Sequence, residues 1–486
     1  MAQSQPVKVL MMPHPWVVSH MRLFYQLAGF LVPNGYNVTV LRWPASEGTG
    51  KLALPTGVHL IDYGTSRHDW VQETIDNIIW KTSDLYADYI KFMADGLQLT
   101  LKACYDMQRK SDLMALLREQ NYTLAILDSH TYPCSWIILN QLNVPYISIA
   151  PSGPLYYMHR ATSTPVPMSY VPSLIDGKSD RMAFLERVVN VFDHFLLSCS
   201  SYWHLMAEVF RVHSALVHAK PWTNVAHRPL MHFYLMHSLF EFARPLTNLE
   251  QNIGLKDRVR EPVPDEVTTD SEKSRGTVIF SLTTLGKREL MSAEMKRSMQ
   301  LAFAHFADYR FVWRTVERPL PASPLANVQY TQWFNQTNVF ADAKTRLLIT
   351  HGGIASVLEA VRHGIPMLGM PMGFDHHSNI ARAVNRGIGR RILKSHISQQ
   401  SITQEISQLL NNQSHLVRAQ QFKLMLDTEQ ERKLHNPLLW WTEYAIRHGG
   451  TLERLRASGQ DQWTGSYFCL DSLALLIVLS LVVAAE

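Results

Sequence analysis

The stretch LLITHGGIASVLEAVRHGIPMLGMPMGFDHHSN, residues 347–379, decides the fold. Leu347 to Thr350 is a short apolar run of strand character, and Gly352-Gly353 breaks it. From about Gly353 to His363 the apolar residues recur at helical spacing, and Pro366 to Met370 reads as a second buried strand. A further helix begins near Asn379, with Ala381 and Val384 on one face. Strand, glycine turn, helix and strand are the grammar of a parallel sheet, whose ligands sit beyond the carboxyl ends of the strands. Glycines at such a turn let backbone N–H groups approach an anion, and the helix N-terminus adds partial positive charge. Thr350-His351-Gly352-Gly353 is therefore a candidate diphosphate cradle. A tight glycine turn without a ligand is also common, so the surroundings must decide.

The same grammar recurs outward in both directions. Thr277 to Leu282, Tyr309 to Arg314 and Val328 to Trp333 read as strands, and Ala293 to Phe306 as a helix. Near the start, Val7 to Met12, Met21 to Leu31 and Val38 to Leu41 form a strand, helix, strand unit that turns at Pro33-Asn34-Gly35. Thr123 to Leu127 is a strand ending at Asp128, followed by a helix-compatible run from Cys134 and a strand from Val144 to Ile149. Phe184 to Phe242 is helical in tendency and rich in aromatics and histidines, but no histidine pair there has the i,i+4 spacing of a shared metal. Between Arg244 and Ser274 the composition turns polar and charged, with Pro262 and Pro264, as in a linker. Two α/β domains facing each other across a cleft follow.

A chain of 486 residues exceeds the usual size of one hydrophobic core, which agrees with two domains. The formal charge of +5 is spread without a Lys/Arg block, so nucleic acid is excluded as a partner. Cys104, Cys134, Cys199 and Cys469 have neither disulfide-framework nor zinc spacing. Before the first strand, MAQSQPVKVLMMP has no apolar core of a secretory signal. Leu473 to Ala485 is apolar apart from Ser480, and with Tyr467 to Leu470 it approaches membrane length, although Asp471 interrupts it. A terminal apolar run with no later element to pack against reads as a membrane anchor.

Trp333, Gln336, His351, Gly352, Gly353, Ser356, Glu359, Pro366, Pro371, Asp375, His376 and Asn379, in that order, resemble the signature of the UDP-glycosyltransferase family, which includes the UDP-glucuronosyltransferases. The resemblance is to glycosyltransferase family 1, of invertebrate type. It extends to Pro167-Met168-Ser169-Tyr170-Val171-Pro172, Arg244-Pro245, Phe280-Ser281-Leu282 and Trp441-Thr442-Glu443-Tyr444. It implies an α/β GT-B fold, two Rossmann-like domains with a C-terminal apolar helix. The expected division is an acceptor-binding domain over 1–243, a linker over 244–275 and a UDP-sugar-binding domain over 276–430. A helical return segment over 431–465 and a transmembrane anchor over 466–486 complete it.

By resemblance, Trp333 stacks on uracil, Gln336 bonds the nucleoside and Glu359 accepts bonds from the ribose hydroxyls. His351, Ser356 and the Gly352-Gly353 amides hold the diphosphate, with hydroxyls of Ser281 and Thr284 added from the opposite loop. Asp375 and His376 face the sugar. His20, at the start of the first helix, takes the place of the family's general base, and Asp128 that of its partner carboxylate. His14 is a rival base that lies too early to share the helix start.

The implied reaction is an inverting, metal-independent transfer of a hexose or glucuronosyl group from a UDP-sugar to a hydroxyl of a small lipophilic acceptor. It needs no cofactor, the UDP-sugar being a co-substrate. The remaining implied partners are the membrane, through the C-terminal helix, and a second copy in a homo-oligomer. The implied location is the endoplasmic reticulum membrane, single-pass. Among the departures from the family pattern are Thr283-Thr284 where most relatives have Gly-Ser, Asn335 for proline, a softer change because Gln336 is retained, and His376 for glutamine. Thr283-Thr284 and His376 motivate the alternative of a non-catalytic homologue that binds lipophilic ligands or UDP-sugars. An oxidoreductase is disfavoured because no GxGxxG follows Val7 to Met12.

Overall fold

The structure, a computed structural model, describes residues 7–43, 52–63, 111–130, 133–153, 164–174, 177–195, 229–254, 274–282, 291–315, 325–332, 334–373, 375–432, 437–455 and 469–485, with isolated positions between 73 and 110 and at 466. Two parallel sheets organise it. The first holds β1 (Lys8–Met12), β2 (Asn37–Arg42), β3 (His59–Asp62), β4 (Leu124–Asp128), β5 (Tyr146–Ala150), β6 (Met231–Tyr234) and β7 (Glu250–Asn252). Their order across the sheet is β3-β2-β1-β4-β5-β6-β7. Strands β4, β5 and β6 are buried at every position, as expected where helices cover both faces of a parallel sheet.

Helix α1 (Val18–Leu31) follows β1 and packs its Met21, Phe24, Leu27, Ala28 and Leu31 face inward. Helices α2 (Leu113–Glu119) and α3 (Pro133–Leu142) flank β4 in sequence. Residues 184–195 are helical, in line with the sequence. Met231–Tyr234, read as part of the same helical stretch, is instead a strand. It is buried along its whole length and pairs in parallel with β5 and β7, and such a run carries no alternation to separate it from a helix. The stretch read as a linker also contains a strand. Glu250 opens β7, and its buried carboxylate accepts the Tyr234 hydroxyl at 2.6 Å and the Thr247 amide at 2.9 Å. Three polar residues, Glu250-Gln251-Asn252, escape hydrophobic pattern reading because backbone pairing and carboxylate bonds hold this edge.

The second sheet holds β8 (Thr277–Ser281), β9 (Arg310–Arg314), β10 (Val328–Thr331), β11 (Thr345–Thr350), β12 (Met367–Gly369) and β13 (Gly389–Arg391), ordered β10-β9-β8-β11-β12-β13. Helices α4 (Ala293–Ala304), α5 (Gln336–Ala341), α6 (Ile354–His363) and α7 (His376–Asn385) connect these strands. After α8 (Gln399–Asn411) and α9 (Gln413–Arg432), α10 (Pro437–Leu452) carries the chain back against α1 of the first half.

The last helix, α11 (Leu470–Ala485), corrects the transmembrane reading of 466–486. No described helix is long and apolar enough to cross a membrane. α11 has 16 residues, about 24 Å at 1.5 Å per residue, against a hydrocarbon core of about 30 Å. Leucines and valines along residues 470–482 are nonetheless exposed, Leu475, Leu476 and Leu481 by 60% or more.

Candidate active site

In each sheet the strand order reverses once, and the crevice beyond the strand ends at that reversal is where side chains from different elements converge. The first reversal lies between β1 and β4, which are neighbours although far apart in sequence. α1 leaves β1 with His20 in its first turn, and Asp128 is the final residue of β4. They meet there, with His20 Nδ1 at 2.8 Å from Asp128 Oδ2. Asp128 is wholly buried, whereas the His20 side chain keeps 17% of its surface exposed. The base candidate thus faces the crevice and its carboxylate lies behind it.

A second imidazole, which sequence reasoning missed, shares that carboxylate. The backbone N–H of His130 donates to Asp128 Oδ1 at 2.9 Å, and the His130 ring Nδ1 lies 3.3 Å from the same oxygen. Ser152 Oγ lies 3.3 Å from His130 Nε2. The signal was the triplet Asp128-Ser129-His130 at the strand end. His14, the rival base, is buried with its ring 5.5 Å edge-on to that of His20, and burial holds its pKa well below the usual histidine range. Burial pushes the Asp128 carboxyl up, but the His20 and His130 imidazoles outweigh it and hold the group well below the ordinary carboxylate range. Among the described residues, His20, Asp128 and His130 also form a group whose ligand atoms lie within 4.8 Å of one another, close enough to hold a metal ion.

The second reversal, between β8 and β11, repeats the arrangement. Buried Ser281 ends β8 and Thr350 ends β11. Gly352 has φ +95°, and a Cβ there would meet Ile380 Cγ1 at 2.7 Å and the His376 carbonyl at 3.0 Å. Only glycine fits that turn. Gly353 is the N-cap of α6 and has no side chain to cap it, which leaves the first-turn amides facing the crevice, where an anion binds well. His351 stands beside this turn, its Nε2 2.7 Å from where a Gly353 Cβ would lie, and Ser356 sits half-buried in the first turn of α6.

Gln336 and Glu359 come together from α5 and α6, Gln336 Nε2 donating to Glu359 Oε2 at 2.7 Å. Asp375 Oδ2 accepts from Asn379 Nδ2 at 2.8 Å, and the same amide nitrogen donates to the Gly352 carbonyl at 3.0 Å. The His376 ring packs edge-on to His351 at 4.6 Å, and burial lowers its pKa well below the usual histidine range, with His351 adding to the effect. Trp333 and Thr284 lie outside the described residues, as does Thr283.

The two crevices face one another. Burial raises the Asp375 pKa, while the Asn379 hydrogen bond and then the His20 and His130 imidazoles and Arg382 pull against that rise. The general base candidate and the Asp375 carboxylate therefore lie within electrostatic reach across the cleft. Contacts between the halves come from the end of α7, where Asn385 Nδ2 donates to Asp180 Oδ1 at 3.2 Å, and from β13, where Arg391 Nη1 donates to the Gly177 carbonyl at 3.0 Å.

Two Rossmann-like sheets with facing switch points define a GT-B fold, and solved structures agree. The glycotransferase of kitacinnamycin superposes with a TM-score of 0.60 at 18% identity, covering 93% of this chain and all of that one. Phytolacca americana UGT2, solved with UDP-2fluoro-glucose and pterostilbene, superposes at 0.55 and 14% identity over 87% of this chain and 94% of that one. The pattern of the family described as "UDP-glucoronosyl and UDP-glucosyl transferase" matches residues 8–486, and the chain belongs to that family. It is 25% identical over 504 residues to rat UDP-glucuronosyltransferase 2B17, covering 98% of this chain and 91% of that protein. It is equally identical to bovine UDP-glucuronosyltransferase 3A1, over 95% of this chain and 89% of the relative. The protein is a UDP-glycosyltransferase.

The depressed folded-state pKa of Asp128 carries a sign. Its contribution to stability is complete above the unfolded value near pH 4 and is lost as pH falls toward the folded value. Asp128→Asn is expected to reduce unfolding stability at neutral pH by about 1–3 kcal/mol. Denaturant titrations should show the gap to wild type narrowing below about pH 4; a gap just as wide at about pH 3 would contradict the buried-carboxylate reading.

Proposed function

We propose that the enzyme transfers a hexose or glucuronosyl group from a UDP-sugar to a hydroxyl of a small lipophilic acceptor, with inversion and without a metal. The carrying observation is the His20–Asp128 bond of 2.8 Å at the first switch point, facing Asp375 across the cleft. With Nδ1–H of the neutral imidazole donated to Asp128, His20 Nε2 holds the lone pair and accepts the proton of the acceptor hydroxyl. The oxygen attacks the anomeric carbon as the bond from that carbon to the diphosphate oxygen breaks. UDP leaves with the bonding pair, and the proton remains on His20 until the products depart. Asp128 orients the ring and stabilises the imidazolium as it forms, as in other base and orienter pairs.

The donor side follows from the second crevice. Glu359 accepts ribose hydroxyls and Gln336 bonds the nucleoside, their mutual bond holding both in place before the donor arrives. Trp333 stacks on the uracil. Ser281, Thr284, His351, Ser356 and the amides at Gly352-Gly353 stabilise charge developing on the departing diphosphate, aided by the α6 dipole. Asp375 and His376 meet the sugar hydroxyls. This supply of hydrogen-bond donors supports the metal-independent reading. His130 ties up the Asp128 oxygen that His20 leaves, which favours an orienting role for that carboxylate over a ligand role.

His20→Ala is expected to lower kcat/KM by about 10²–10⁴-fold while UDP affinity stays near wild type. UDP release with a panel of phenols and steroids measures it. An unchanged rate would remove His20 as base, and the absence of turnover in the wild type would favour the non-catalytic, ligand-binding alternative.

We propose further that His376, buried and uncharged beside His351, favours galactose over the glucose or glucuronate donors. A single hydrogen-bond exchange shifts such a preference by about tenfold or less. His376→Gln is expected to change the order of turnover among UDP-glucose, UDP-galactose and UDP-glucuronate; an unaltered ranking would sink the idea.

Location at the endoplasmic reticulum membrane belongs to the same proposal. It is supported by kinship with the UDP-glucuronosyltransferases and by the exposed apolar residues of α11, which suit burial at the lipid interface. Removing 470–485 is expected to move the protein from the membrane to the soluble fraction, and continued sedimentation with membranes would contradict it.

A further inference from the structure

Arg382 on α7 is 1% exposed, and it reaches out of its own domain to a carboxylate of the other. Its Nε donates to Glu241 Oε1 at 2.7 Å and its Nη2 to Glu241 Oε2 at 3.1 Å, a bidentate pair. Glu241 is 4% exposed, and although burial pushes its carboxyl up, Arg382 and Arg244 draw its pKa below the ordinary value. The guanidinium also packs 5.3 Å from the Phe242 ring, and Arg386 donates to the Glu241 carbonyl at 2.7 Å. On the first-domain side Gly153 packs against the pair, so that a Cβ there would lie 3.3 Å from Glu241 Oε2 and 3.4 Å from Arg382 Nη2. Gly153 directly follows Ser152, whose hydroxyl lies against His130. One residue, Gly153, thus separates the ion pair from the hydroxyl that lies against His130.

The remaining guanidinium nitrogen turns back onto α7. Arg382 Nη1 donates to Ser378 Oγ at 2.7 Å and to Asn379 Oδ1 at 3.3 Å. Arginine is only a donor, so it fixes which end of the Asn379 amide faces it. Oxygen points to Arg382, and the NH2 group must point the other way. That NH2 group donates to Asp375 Oδ2 at 2.8 Å and to the Gly352 carbonyl at 3.0 Å. A buried ion pair kept only for packing is commonly replaceable by apolar residues without loss of stability. Here the fork does something an apolar pair does not, because it sets the orientation of an amide that holds a carboxylate.

We propose that Arg382, clamped by Glu241 of the first domain, is a positioning residue that orients Asp375 through Asn379, so that the sugar subsite of the donor is complete only with the two domains closed on that ion pair. The inference rests on the reading of Asp375 as a sugar ligand. Glu241 and Arg382 carry the coupling; neither touches the substrate.

The test compares Arg382→Met, the charge-removing double variant Glu241→Met/Arg382→Met, Asp375→Asn, and Asp375→Asn combined with Arg382→Met. Each is measured for KM and kcat with the preferred UDP-sugar and for affinity toward UDP, which has no sugar. Arg382→Met is expected to raise the UDP-sugar KM about tenfold, the scale of one charge-assisted hydrogen bond, with UDP affinity unchanged. In the Asp375→Asn background it is expected to add nothing. If Asp375→Asn raises KM and Arg382→Met does not, or if the two effects add in full, the positioning role is overturned while the role of Asp375 stands. If Asp375→Asn leaves KM unchanged, the sugar-ligand reading falls and takes this inference with it. Should Arg382→Met not fold because it strands a buried carboxylate, the double variant removes both charges and is read against the same outcomes.

Discussion

All strands within each sheet run parallel, so the chain must cross over a sheet face between strands, and it reverses direction across each sheet once. That constraint places the described residues of both switch points. His20 and Asp128 are more than a hundred residues apart, yet β1 and β4 are neighbours at the first reversal, so the two side chains meet at 2.8 Å. Ser281 and the Thr350 to Gly353 turn meet at the second reversal for the same reason. Facing the two crevices toward each other joins the proposed acceptor and donor sides without any single element having to carry both.

Desolvation sets the character of the site. Asp128 is wholly buried and remains ionised because it accepts from His20 and from the His130 backbone. An ion so placed is strongly oriented and resists rearrangement, which suits the proposed task of holding an imidazole in one tautomer and then facing its positive charge. Glu241 and Arg382 repeat the device at the domain boundary. There Arg382 and Arg244 both face the Glu241 carboxylate, and the remaining nitrogen of the Arg382 guanidinium is directed onto α7.

Much of this was legible in the sequence, and the reason lies in periodicity. Thr345–Thr350, Ile354–His363 and Met367–Gly369 lie within a few residues of where apolar pattern and glycine placement put them, since those elements are specified by burial. The α/β class and the pairing of His20 with Asp128 followed from strand ends and family likeness. Strands β6 and β7 were not legible. The first is a histidine-bearing aromatic run without alternation, and the second is three polar residues held by backbone pairing and the Glu250 carboxylate. The Glu241–Arg382 contact joins positions 141 apart in different domains, and neither residue lies in a recognisable motif. The length of α11 was overread because apolar composition extends the run in sequence while the helix itself covers 16 residues.

The chemistry proposed for the cleft is a single displacement at the anomeric carbon, with the acceptor activated on the face opposite the departing diphosphate. The most direct measurement is the anomeric configuration of the glycoside formed from an α-linked UDP-sugar, read from the proton coupling at the anomeric position by NMR before the product can epimerise. The account predicts a β-glycoside as the sole initial product. An α-glycoside, implying two displacements or a front-face mechanism, would contradict it.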